Sequence, residues 1–157
     1  MANKKQMELK EIKFYSLKEA YGEFSNFAAY PIQLKGKTWA TTEHYFQAQK
    51  FIGTAYEEQI RKAKSPMKAA ELGRSRKVRI RSDWDRVKDA VMYEAVKAKF
   101  TQHEELKYLL LGTDTARIIE HTENDYYWGD GGDGSGQNKL GKTLMRLREE
   151  LKQGIKK

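Results

Sequence analysis

The chain contains no cysteine. That excludes disulfides, cysteine-ligated zinc and a cysteine nucleophile, and it fits a reducing compartment. No run of about 18 apolar residues occurs, so no membrane span is expected. Met1 to Lys10 is polar, with no apolar stretch behind its lysines, and does not read as a secretory leader. A cytoplasmic location is the expectation that follows. Repeats, low-complexity blocks and linkers are also missing. The three histidines, His44, His103 and His121, lack metal-ligand spacing, so neither a metal nor a cofactor is expected. Among them only His44, beside Glu43, falls near a candidate site.

What is present is a chain of 157 residues, a size that suits one domain with a real core. Residues 1–10 read as a frayed arm and 11–154 as the folded domain. Thirty basic residues against 22 acidic ones give a net charge of +8, which attracts nucleotides, phosphate esters or nucleic acid. Part of that excess is terminal: Lys4, Lys5, Lys10 and Lys13 at one end, Lys152, Lys156 and Lys157 at the other. Solubility therefore accounts for the charge about as well as a binding groove does.

The pattern predicts a helix-dominated α+β fold, a single compact domain with a small β-sheet. Ile12–Ser16 has strand character, and Tyr30–Leu34 with Lys37–Ala40 form a hairpin around Lys35-Gly36. Thr41 or Thr42 caps a helix running to about Ile52. Helices follow at Ala55–Ala63 and at Pro66–Gly73, where Ser65-Pro66 supplies a cap and a first-turn proline. Asp85 is read as the cap of a longer helix from Arg86 to about Gln102, and Glu104–Leu111 as another. Ala116–His121 reads as a strand and Asn124–Gln137 as a loop. Asn138 starts a last helix striped by Leu140, Leu144, Leu147 and Leu151.

Two segments carry candidate chemistry. On the helix that starts at Thr42, stepping 100° per residue puts Gln47 about 40° and Lys50 about −20° from Glu43. The three make a polar slit flanked by Phe46 and Phe51, with Tyr45, Ala48 and Ile52 opposite. Burying such groups is costly unless they are paired, so the slit reads as a pocket wall or as a satisfied polar network. Glu43 and Lys50 sit about 10 Å apart along the axis. The second segment, Asp125-Tyr-Tyr-Trp-Gly-Asp-Gly-Gly-Asp-Gly-Ser-Gly-Gln-Asn138, pairs aromatic residues with glycines and feeds a helix N-terminus, a natural phosphate site. It matches no Walker, dinucleotide or EF-hand pattern. In Arg74-Ser-Arg76-Lys77-Val-Arg79-Ile-Arg81, the arginines suit phosphates or simply a solvated face.

Longer strings carry a resemblance. Tyr21-Gly-Glu-Phe-Ser-Asn-Phe27, Trp39-Ala-Thr-Thr-Glu-His-Tyr-Phe-Gln-Ala-Gln-Lys-Phe51, Gly73-Arg-Ser-Arg76, Asp83-Trp84, and Tyr127-Trp-Gly-Asp130 with Gly134, Asn138 and Leu140-Gly141 resemble the NADAR, or YbiA-like, family from about Phe14 to Leu151. The resemblance implies an N-glycosidase. Two substrate classes go with that family, and the residues leave both open. One is the phosphoribosylamino-pyrimidine intermediates of riboflavin biosynthesis. The other is guanine carrying ADP-ribose on its exocyclic amine in nucleic acid, where a toxin's modification is reversed. Both join ribose C1′ to an exocyclic nitrogen. On that basis Glu43, Lys50 and Asp130 are the catalytic candidates. Gly22, Glu23, Ser25, Asn26, Arg74, Arg76, Trp84, Tyr127, Trp128, Gly129 and Asn138 are the substrate-binding candidates. The alternative is a non-catalytic module that binds ADP-ribose or a related nucleotide, which would need the loop, arginines and tryptophans but no Glu–Lys slit.

Overall fold

A computed structural model describes residues 10–155. The expected N-terminal arm, Lys10 apart, lies outside the described residues, as do Lys156 and Lys157. The described residues form six α-helices and two two-stranded sheets, the helix-rich α+β content expected. No helix among them is long and apolar enough to cross a membrane. The chain divides into two compact units, one running from Asn26 to Leu106 and the other combining the residues up to Ser25 with those from Lys107 onward.

The central unit is built around helix α1 (Thr42–Gln49). Strands β2 (Ile32–Leu34) and β3 (Lys37–Trp39) precede it as an antiparallel hairpin. The turn residues Lys35 and Gly36 have φ of 56° and 75°, the paired left-handed conformation that matches the twist of a two-residue hairpin. Helices α2 (Ala55–Arg61), α3 (Pro66–Arg74) and α4 (Trp84–Gln102) pack against α1. Ser65 caps α3 as expected, accepting from the Lys68 N–H. Ile32, Trp39, Tyr45, Ala48, Phe51, Ile60, Ala69, Ala95 and Ala98 form the core. Its alanines let helix backbones come close, while the Trp39–Tyr45 edge-to-face pair, 5.1 Å between centroids, fills the remaining width.

Two helix ends differ from expectation. Helix α1 stops at Gln49, because Lys50 and Phe51 turn back on Gln47 and Ala48 through i→i+3 hydrogen bonds of 3.2 and 3.0 Å. Ile52, expected on the apolar face, is therefore exposed. Helix α4 begins at Trp84 and not at Arg86, and Asp85 stands in its first turn. Asp83 precedes it without capping, since its carboxylate takes both Nε and Nη2 of Arg81 at 2.6 and 2.9 Å.

In the terminal unit, strand β1 (Glu11–Phe14) pairs in parallel with β4 (Arg117–Glu120), Glu11 opposite Arg117 and Phe14 opposite Glu120. Helix α5 (Glu104–Leu111) leads from one unit into the other along the chain. Helix α6 (Lys139–Ile155) lies on β4 with Leu140, Leu144 and Leu147 fully buried. Gly141 permits that approach: a Cβ there would lie 2.2 Å from the Ile118 carbonyl oxygen.

Candidate active site

Every residue from Thr41 to Lys50 is buried, so α1 is a core helix that carries polar groups. Its start is tied down twice. Thr41 Oγ1 accepts from the His44 N–H at 3.2 Å, and the Asn26 carbonyl accepts from the Glu43 N–H at 3.2 Å. Asn26 Oδ1 also accepts from Thr42 Oγ1 at 2.9 Å, which makes Asn26 the clamp that holds the first turn of the helix and Glu43 within it. Within the helix, Gln47 Nε2 donates to Glu43 Oε2 at 2.8 Å. Lys50 Nζ donates to the Gly73 carbonyl, at the end of α3, at 3.3 Å.

Lys50 is 8% exposed. Burial is the main force that lowers its ammonium from 10.5 to about 8; Arg76, Arg74 and Lys88 push the same way, and Glu43 opposes them. The apolar flanks expected from the sequence are thus only part of the cause. Arg76 Nη1 reaches the same Gly73 carbonyl at 3.2 Å, so two cationic groups converge on one oxygen. Arg74 is exposed beside them at the helix end. Arg81, in contrast, is committed to Asp83.

Trp84, in the first turn of α4, lies against Phe46 with centroids 5.1 Å apart and planes at 59°. Asn26, Glu43, Lys50, Arg74, Arg76 and Trp84 therefore all belong to the central unit, on or near α1. His44 is a structural group. Its Nε2 donates to the Ala63 carbonyl at 3.0 Å, and its Nδ1 faces Thr41 Oγ1 at 2.8 Å. Burial, only partly offset by Ala63, lowers its pKa and favours the neutral ring that this arrangement requires.

The remaining candidates lie in the terminal unit. Gly22, Glu23 and Ser25 share one tight turn, a 3-10 segment (Gly22–Phe24) whose Ser25 N–H closes on the Gly22 carbonyl at 3.0 Å. A Cβ on Gly22 would lie 2.7 Å from the Ser16 and Leu17 carbonyl oxygens. Tyr127, Trp128, Gly129, Asp130 and Asn138 share the glycine loop, where Tyr127 and Trp128 pack edge to face at 4.8 Å. The loop is folded back on the start of α6. The N–H groups of Gln137, Asn138, Lys139 and Leu140 donate to the carbonyls of Tyr126, Gly129, Tyr127 and Trp128 at 2.8 to 3.0 Å. That overturns the expectation of a phosphate at this helix N-terminus, because the loop's own backbone already uses these donors. Asn138 is buried, with φ 52°, and its amide bonds the Glu120 N–H and the Ile118 carbonyl, extending β4 as a strand would.

Asp130 is 5% exposed. Burial alone would raise its carboxyl pKa, but His121 Nδ1 at 3.0 Å and the Gly132 N–H at 2.8 Å more than compensate, and the net shift is downward. A polar cleft of about 220 Å³ adjoins it, lined also by Lys13, Arg117 and Asn138. The His121–Asp130 pair was not legible in the sequence; the only signal was that a histidine at the end of a strand precedes the aspartate-bearing loop. Gly73 likewise carries no local signal beyond its place in Gly73-Arg-Ser-Arg76. Among the described residues no group of three or more His, Asp and Glu side chains is placed to hold a metal ion.

Comparison with known proteins follows the same span. The family model described as NADAR domain matches residues 13–152. The chain is 59% identical over 140 residues to "N-glycosidase YbiA" of Escherichia coli (strain K12), covering 89% of this chain and 88% of that protein. It is 39% identical over 155 residues to "Riboflavin biosynthesis protein PYRR, chloroplastic" of Zea mays, covering 89% of this chain and 25% of that longer protein. The NMR structure of the E. coli protein YbiA superposes with a TM-score of 0.87 at 56% identity, covering 93% of this chain and 87% of that one.

Proposed function

The chain belongs to the NADAR domain family, and from that membership we propose its function: it is an N-glycosidase whose scissile bond joins ribose C1′ to an exocyclic amine. One observation carries the chemical reading. A buried lysine whose pKa is lowered to about 8 caps the C-terminus of the helix whose first turn carries a glutamate held by a neighbouring amide. A non-catalytic nucleotide-binding module has no need of that pair.

The bond is an aminal, so the sugar ring can open: C1′–O4′ breaks, O4′ takes a proton, and C1′ becomes an imine to the base nitrogen. The Lys50 amine adds to C1′. Glu43 delivers a proton to the departing nitrogen, the C1′–N bond breaks, and C1′ is left as a Schiff base on Lys50. Water, deprotonated by Glu43, adds to C1′ and releases the free sugar and the lysine amine. In the competing route Glu43 or Asp130 steadies an oxocarbenium-like C1′ while water attacks directly. Arg74 and Arg76 take the substrate phosphate, Trp84 offers a face to the base, and Asn26 acts through the helix start. Gly22, Glu23, Ser25, Tyr127, Gly129 and Asn138 are proposed as substrate contacts on the motif match. If a base stacks on Trp84, Trp84→Ala weakens substrate binding by roughly 1–3 kcal/mol. Unchanged affinity in a folded variant, read by titration calorimetry, assigns the ring to packing on Phe46.

The substrate we favour is a small phosphoribosylated amine. Lys50 and Arg76 meet at one carbonyl with Arg74 at the same helix end, a set suited to one phosphate, and the maize relative is named for riboflavin biosynthesis. A second reading, ADP-ribosylated guanine in nucleic acid, is supported by the net charge of +8. Both substrates, assayed side by side across a salt series, separate the two. A nucleic-acid substrate loses affinity steeply as salt rises, because binding releases counterions, whereas a small nucleotide shows a shallow dependence. No cleavage of either one refutes the glycosidase assignment.

A further inference from the structure

We propose that Gln47 and Gly73 form a positioning device for the Glu43–Lys50 pair, with the Gly73 carbonyl seating the Lys50 amine and the bare Gly73 Cα seating the Gln47 amide against Glu43. The proposal rests on the N-glycosidase reading of that pair.

Gln47 donates through Nε2 to Glu43 Oε2 at 2.8 Å. Its other end, Oε1, is buried and has no hydrogen-bond partner among the described residues. Turning the amide over would place Oε1 against a carboxylate oxygen, lone pair to lone pair, so Glu43 dictates the orientation. The orphaned acceptor points at Gly73. A Cβ built there would lie 2.0 Å from Oε1 and 2.6 Å from Cδ of Gln47. In that direction glycine carries only a hydrogen, which offers Oε1 a weak C–H···O contact in place of a clash. Any side chain would drive the amide away from Glu43.

The same residue acts on Lys50 through its carbonyl. Gly73 is in the last turn of α3, where carbonyls lack partners within the helix and the helix dipole is negative. Lys50 Nζ and Arg76 Nη1 fill that carbonyl at 3.3 and 3.2 Å. One backbone unit thus fixes both ends of a pair that its own helix sets about two turns apart. The charged groups acting at this point are Glu43 on α1, Lys50 at its C-cap, Arg74 and Arg76 at and just beyond the end of α3, and Lys88 on α4.

A double-mutant cycle tests the coupling. Gln47→Ala and Gly73→Ala are each expected to lower kcat by about 100-fold, the scale of a 1 Å misplacement, with KM within about twofold. The double variant is expected to be no slower than Gln47→Ala alone, since the added methyl then has no amide to displace. Additive losses, or a wild-type kcat in Gln47→Ala, overturn the proposal. A second readout needs no substrate. In ¹⁵N NMR the Gln47 side-chain amide should shift with pH in the native chain and stay flat in Glu43→Gln; a flat native response overturns the proposal even where the alanine variants fail to fold. Absence of turnover in the native chain, together with a titrating Gln47 amide, refutes the glycosidase reading and leaves the positioning device standing.

Discussion

Lys50→Arg is expected to show no turnover and no covalent trapping, whereas the native chain, treated with borohydride during turnover, is expected to yield a reduced adduct on the peptide containing Lys50. The size of the effect follows from the amine. A group with a pKa of about 8 is roughly one-tenth free base at pH 7, against less than one-thousandth for an ordinary lysine. Arginine keeps the positive charge and can still donate to the Gly73 carbonyl, but a guanidinium is no practical nucleophile. The variant therefore separates chemistry from packing. Labelling of Lys50 by an amine reagent should accordingly rise through about pH 8 in the folded chain. An active Lys50→Arg enzyme without adduct points to direct attack by water. An adduct on a different lysine keeps the imine and removes Lys50 from the role.

Glu43→Gln is expected to lose about 100-fold or more in kcat, the scale of removing a general acid–base group. The substitution is nearly isosteric, and the Gln47 N–H can still donate to the oxygen of a glutamine at position 43. Melting temperature and substrate affinity should stay close to native, which locates the loss in proton transfer. Wild-type rates in this variant would make the α1 polar groups a satisfied buried network and nothing more.

Local chemistry explains what could be read before the structure. Ser65-Pro66 and Lys35-Gly36 act through their own backbone preferences, so α3 and the hairpin were legible. The Glu43–Gln47 pairing is one helical turn and equally local. The end of α1 was not, because Lys50 and Phe51 close i→i+3 turns where periodicity alone would continue the helix. Asp85 was read as the cap of α4, but the helix begins one residue before it, behind an Asp83 whose carboxylate is held by Arg81, a contact that propensity does not weigh. The glycine loop misled for a similar reason: it leads into a helix start that periodicity leaves open, while the fold turns the N–H groups of Gln137 to Leu140 onto the carbonyls of Tyr126 to Gly129. Gly73 and the His121–Asp130 pair depend on segments brought together by tertiary structure, and no local pattern marks them.

The parallel pairing of β1 with β4 carries a consequence for synthesis. Glu11 and Arg117 are 106 residues apart, so the first strand leaves the ribosome long before its partner exists. At about 5–20 residues per second that interval is roughly 5–20 s. Throughout it the edge of β1 offers unsatisfied N–H and C=O groups to any passing strand. Lys13 sits within that segment and Lys10 borders it, charges of the kind that discourage intermolecular pairing. A nascent chain stalled before Arg117 should accordingly be the form most prone to aggregate and most in need of a chaperone.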